Sequence, residues 1–336
     1  MAQRAFGGRG DNGAKAAVVA FAVLLSGCAT AGTEIEPRLR AARTGGLPSS
    51  KRFDLTAPSR ALFLNKRLKS GRVMQGFGFD PRNKRLFVAQ LVDEPSADAS
   101  GDLVINRLDF SGRRTGHMYL RGFGHGISIG VEPSGKNTYL WVEVDPVGAS
   151  ARGTRLARFK FVHGKTLTGD SPALAKYRPI PGIRSVTAAI DPVNRRLAMR
   201  YRKNGRRRVA VYKLADIKAR RYHKRLVDVA LPPQKGEVFQ GYALYGRYLY
   251  TYYGTAYGPG NPKPGNARLS TIDLNTGKRI AGPTLTKAGA SLPYREPEGM
   301  AVYRTASGQM RLFFGFASGD LGERRANLFY KNVLIK

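Results

Sequence analysis

The sequence predicts an all-β chain folded as a five-bladed β-propeller, with the ring closed by an N-terminal strand. Three observations predict it. A polar residue followed at once by a small one recurs near the start of successive apolar segments. The copies are Gln75-Gly76, His125-Gly126, Gln240-Gly241 and Glu298-Gly299, with Thr187-Ala188 as a degenerate fifth. Each pair is followed by a strand-like run centred on Leu86, Leu140, Leu197, Leu249 or Leu312, and these leucines stand 54, 57, 52 and 63 residues apart. A period of that size made of strands marks a propeller or solenoid. Finally, 42% hydrophobic residues supply a core, while 40 Gly and 19 Pro suit many turns instead of long helices.

In chain order, Arg4, Arg9 and Lys15 precede the apolar stretch Ala16 to Leu25. That stretch is too short to span a bilayer and reads as the core of a secretory signal peptide. Leu25-Ser26-Gly27-Cys28 looks like a bacterial lipobox, making Cys28 the expected lipidation site and membrane anchor. Cys28 is the only cysteine, so no disulfide forms within the chain. Ala29-Thr30-Ala31 offers an alternative cleavage that would release the protein. Both routes put the chain outside the cytoplasm. Residues 1–28 are therefore read as signal peptide with lipobox, 29–50 as a flexible tether and 51–336 as the propeller.

The first unit runs from Phe77-Gly78-Phe79-Asp80 through a Pro81 to Lys84 turn into Arg85 to Gln90, then a second hairpin begins at Leu103. Four strands make one blade. Later units repeat the order, with turns at Asp80-Pro81, Glu132-Pro133 and Asp191-Pro192. An acid before Pro is good turn chemistry, since the carboxylate bonds local backbone and Pro presets φ. Second strands such as LWVEV, LYTYY and LFFGF are continuously apolar. Strands covered on both faces have that character. A short helix is expected near Ala215 to Arg220. The last unit ends after its third strand, and Phe53 to Ala57 or Ala61 to Asn65 is expected to supply the fourth and close the ring.

Lys and Arg number 57 against 23 acidic residues, a net charge of +34. Such a charge favours a polyanionic partner, or else reflects a surface bias without one. Export removes intracellular nucleic acid from the list. No P-loop, nucleophile elbow or paired metal-ligand spacing occurs, so no cofactor and no metal are expected.

The strings LFLNKRL, VMQGFGFD, GHMYLRGFGHGISIGVEP, GTRLARFKF, FQGYALYGRYLY, REPEGMAVYRT and RLFFGFASG resemble secreted actinobacterial proteins described as teichoic acid biosynthesis protein C. The resemblance spans roughly residues 50 to 336. It implies the five-bladed group that includes phage receptor-binding proteins and helveticin-type bacteriocins, and hence recognition of a wall glycan. It supplies no catalytic residues.

The repeat itself proposes a site, because matching inner-strand residues converge on one channel mouth: Gln75, His125, Thr187, Gln240 and Glu298. They are either ligand contacts or structural hydrogen-bonding groups. Arg295, Glu296 and Glu298 form the densest charge cluster beside an inner strand and would orient a sugar, or Arg295 would pair with Glu298. Trp141 with Glu143 suits a sugar face, although a sole Trp in an apolar run also suits the core. Tyr242 leads a tyrosine-rich fourth unit, with polar tips fit for carbohydrate. Arg206-Arg207-Arg208 and Lys218 to Arg225 are read as loop or outer-strand charges. The first expectation is a monomeric protein binding an anionic wall polymer of the teichoic acid kind. The second is a glycan lyase or hydrolase using His125 and Glu298. The third is a bacteriocin-like interaction protein.

Overall fold

In the computed structural model, which describes residues 46–336 apart from 150, 234, 235 and 237, each sequence unit is an antiparallel sheet. β1 (Arg52–Phe53) and β2 (Arg60–Arg67) precede the first blade, which consists of β3 (Met74–Asp80), β4 (Arg85–Leu91), β5 (Leu103–Leu108) and β6 (Arg114–Arg121). The second blade contains β7 (Gly130–Ser134), β8 (Asn137–Val147) and β9 (Arg152–Lys160). Next, β10 (Thr166–Thr168) pairs parallel with β6 of blade one, and β11 (Ala175–Tyr177) completes blade two. Blade three is β12 (Arg184–Asp191), β13 (Arg196–Lys203), β14 (Arg206–Lys213) and β15 (Val227–Ala230). Blade four is β16 (Phe239–Tyr245), β17 (Tyr248–Tyr253), β18 (Arg268–Asp273) and β19 (Lys278–Leu285). Blade five holds β20 (Glu296–Arg304), β21 (Met310–Ser318) and β22 (Arg325–Lys331), and β23 (Leu334–Ile335) pairs with β1.

The missing outer strand of blade five is β2, paired antiparallel with β22. Of the two expected candidates, the Ala61 to Asn65 segment closes the ring. Asn327 clamps the joint: its side-chain oxygen accepts the Asn65 amide at 2.8 Å, and its Nδ2 donates to Phe316 O and Ser318 Oγ. Helix is confined to short pieces, including Leu214–Lys218 where the sequence placed one.

The apolar second strands are explained by what lies on both sides of them. Hydrophobic clusters fill the contacts between neighbouring blades, as where Phe87 and Leu103 of blade one meet Leu140 and Val142 of blade two. At the next contact Trp141 meets Leu197 and Met199, and at the ring joint Leu86 meets Phe313 and Leu328. The acid-Pro turns do more than turn. Asp80 caps its own turn through Asn83 and also accepts Thr138 Oγ1 from the next blade. Asp191 repeats the device, accepting Val193 and Asn194 amides locally and the Gly246 amide of blade four at 2.9 Å. Glu132 takes Trp141 Nε1 and Arg158 within its blade and Lys218 from blade three.

The expected signal peptide, the expected lipobox with Cys28 and most of the expected tether lie outside the described residues. The last part of that stretch is packed: buried Leu47 exchanges two hydrogen bonds with Asn275, and Ser50 Oγ accepts the Arg247 amide.

Candidate functional site

The small residues of the repeated pairs draw the inner strands together. The Gly76 amide donates to Gly126 O at 2.8 Å, and Ser128 Oγ donates to Ala188 O at 3.1 Å. Tyr242 Oη donates to Thr187 O at 2.9 Å, carrying the contact from blade four to blade three. A Cβ on Gly241 would lie 2.9 Å from Gly299 backbone, and one on Gly299 would lie 2.6 Å from Gln75 O. Those five contacts run once around the axis. Glycine is needed where backbones approach this closely.

Below this ring the axis is plugged. Phe77, Phe79, Ile129, Val131, Ile190, Met300 and Val302 leave only about 20 Å³ between them. A second hollow of about 420 Å³ sits at the opposite end of the inner strands, bordered by Arg82, Lys84, Phe110, Tyr303 and Arg304.

The mouth cavity, about 360 Å³, lies off the axis over blades two to four. Ile127, Arg152, Ser185, Thr187, Arg200, Arg202, Arg207, Val238 and Phe239 line it. Of the five ring positions, only Thr187 is in this lining. Gln240 is buried and donates to Gly254 O at 2.9 Å, and Gln75 is buried beside Gly299. His125 Nδ1 and Glu298 Oε2 are buried without partners among the described residues.

Electrostatics tie these groups together through Arg152. Burial pushes His125 down to about 4, and the Arg152 charge adds to the effect. Burial raises Glu298 well above the carboxylate range, helped by Glu296 and opposed by Arg152. His125 is thus neutral at pH 7, while the Glu298 carboxyl is harder to ionise than a free one. The raised Glu298 makes a signed prediction. Below about pH 4.5 both folded and unfolded chains hold the proton; above it only the unfolded carboxyl ionises freely, so stability falls as pH rises through the folded pKa. Glu298→Gln, uncharged throughout, is expected to melt higher than the parent at pH 8 and alike at pH 4. An equal difference at both pH values contradicts this.

Several residues expected to touch ligand do not line the mouth. Trp141 is fully buried, with its indole donating to Glu132 and its ring against Tyr177, so it belongs to the core. Glu143 is also fully buried: Oε1 accepts the His125 and Gly126 amides at 3.1 and 3.0 Å, and Oε2 accepts Gly153 at 2.7 Å. It holds the loop that carries His125. Tyr242 Oη is spent on backbone at Thr187, Ala198 and Arg200. Arg295, 1% exposed, donates to the carbonyls of Thr286 and Ala288 and stacks on Phe316, so it does not form the expected Glu298 ion pair. Glu296 accepts Tyr294 Oη at 2.7 Å, and burial raises its pKa.

The arginines of the cavity were not singled out by sequence as a group. Arg200 and Arg202 alternate on β13, and Arg207 stands opposite Arg202 across the hairpin. The run Arg206-Arg207-Arg208 therefore opens the third strand of blade three instead of lying in a loop or outer strand. Arg208 turns to the other face, where Asp228 neutralises it at 2.9 Å.

Comparison with known proteins agrees with this architecture. The Bacillus subtilis (strain 168) protein that carries the name major teichoic acid biosynthesis protein C is 28% identical over 297 residues, which is 84% of this chain and 65% of that relative. The chain thus spans somewhat under two thirds of the relative's length. The tail fiber of Staphylococcus aureus phage P68 superposes with a TM-score of 0.67 at 19% identity, covering 83% of this chain and 54% of that one. That likeness is one of fold. Residues 73–330, more than half of the chain, match the phage 5-bladed beta propeller receptor binding platform domain, and the protein belongs to that family.

Proposed function

We propose that this protein is an extracellular, wall-associated propeller that binds an anionic wall polymer of the teichoic acid kind at the mouth of its ring. One observation carries the reading: the mouth cavity is lined by four arginines and by no carboxylate among the described residues. The net charge of +34 adds long-range attraction for a polyanion, and the name of the Bacillus subtilis relative refers to teichoic acid. Cys28 would tether the protein to the membrane, or cleavage after Ala31 would release it. It would act as a monomer, without a nucleic-acid partner.

The test is incubation with purified wall teichoic acid and with a neutral wall polysaccharide, scoring retention and released fragments together. Retention of the teichoic acid alone, weakening as salt screens the charges, is expected. Equal retention on the neutral glycan, unchanged by salt, contradicts the reading. Glycan cleavage is the second reading: His125 Nδ1 and Glu298 Oε2 both lack a hydrogen-bond partner among the described residues, and burial disfavours the charged form of each. Fragments released by the parent and lost in both His125→Ala and Glu298→Gln would establish it.

A further inference from the structure

The mouth cavity holds more positive charge than the ring needs. Arg202 and Arg207 face each other directly across the β13–β14 hairpin. Like charges in that position destabilise a sheet unless an anion lies between them. Arg200 is 8% exposed, and its Nε has no hydrogen-bond partner among the described residues. Its guanidinium carbon sits 3.8 Å from the Phe239 ring centroid, so stacking fixes the plane and leaves the edge for in-plane bonds. A buried donor left unmade is costly, and a guanidinium more so. Nearby carboxylates are occupied elsewhere: Glu143 by three backbone amides, and Asp228 by Arg208 and Tyr201 on the opposite face of the hairpin.

We propose that this cavity is a phosphodiester subsite, with Arg200 as its fixed clamp and Arg152, Arg202 and Arg207 closing around the same anion. The proposal rests on the reading of the mouth as an anionic-polymer site and specifies which anion it takes. The guanidinium groups come from three strands of two blades, so they approach from different directions. A tetrahedral phosphodiester presents oxygens in several directions, whereas a planar carboxylate is satisfied by one guanidinium fork. The cavity also exceeds the size of one phosphate. Half-buried Ser185 offers a hydroxyl beside the arginines, for the sugar or polyol that joins successive phosphates. Ser185 sits at φ 53°, where β12 is interrupted by a bulge. Non-glycine residues held there store strain, and such strain gathers at binding sites.

The experiment uses the full chain at fixed salt, with a poly(glycerol phosphate) and a polyuronate of similar charge spacing as probes. Affinities are measured for the parent, Arg200→Lys and Arg202→Ala. Arg202 is exposed, so its variant keeps the fold even if Arg200→Lys does not. The parent is expected to prefer the phosphate polymer by about tenfold or more, and each variant to lose about tenfold on that polymer alone, as charged hydrogen bonds are removed. Equal affinity of the parent for both polymers, or unchanged affinity in Arg202→Ala, overturns the subsite and leaves the broader reading standing. A parent that retains neither polymer overturns both.

Discussion

Gly299→Ala is expected to lower the thermal midpoint by roughly 6–10 °C. The added Cβ would lie 2.6 Å from Gln75 O and 2.7 Å from the Phe77 ring, and the residue sits at φ +67°. Neither neighbour can retreat easily. Gln75 precedes Gly76, whose amide is bonded to blade two, and Phe77 is part of the axial plug. Overpacking and a left-handed alanine together cost about 3–5 kcal/mol. Gly122→Ala is the control, because Gly122 has φ +68° with nothing within 4 Å of its Cβ position. It carries the backbone cost alone, about 1 kcal/mol or slightly more. Equal losses in the two variants would show that crowding at the axis is not what holds the blades in place.

Glu143→Ala is the second large effect. Its carboxylate receives the amides of His125, Gly126 and Gly153, binding the loop between blades one and two to the β8–β9 hairpin. Truncation leaves three amide donors without that acceptor, each at about 1–3 kcal/mol where water cannot replace it. A loss on the order of 4 kcal/mol is expected, with hydrogen exchange at His125 and Gly126 accelerated more than in the blade strands. Exchange speeding evenly across all blades would instead mark general unfolding and would deny Glu143 its local role. Polymer binding should weaken too, because Ile127 follows this loop and lines the cavity.

The fold was legible where chemistry recurs at one period. Gln75-Gly76, Gln240-Gly241 and Glu298-Gly299 marked inner strands because each glycine meets a neighbouring backbone, whereas His125-Gly126 falls in the loop before β7; Asp80 and Asp191 marked turns because their side chains serve both the turn and the next blade. The cavity was less legible for two physical reasons. Strand alternation divides residues between two faces but does not say which face meets a neighbouring blade, so Trp141 and Tyr242 looked available when they are core. The arginines that meet at the mouth are scattered: Arg152 lies 48 residues before Arg200, and only ring closure in three dimensions joins them. The signal present in the sequence was Arg200 and Arg202 following the apolar Leu197 to Met199 of a second strand, opposite a basic third strand.

The proposed site holds its anionic polymer at the mouth, and net charge alone would gather the polymer anywhere on the surface. Arg202→Glu in the mouth and Arg304→Glu beside the opposite hollow change the formal charge equally, and both side chains are exposed. Affinity for wall teichoic acid at physiological salt is the deciding measurement. Arg202→Glu is expected to lose about tenfold or more while Arg304→Glu stays within about twofold of the parent. Equal losses in the two variants would contradict a binding site at the mouth.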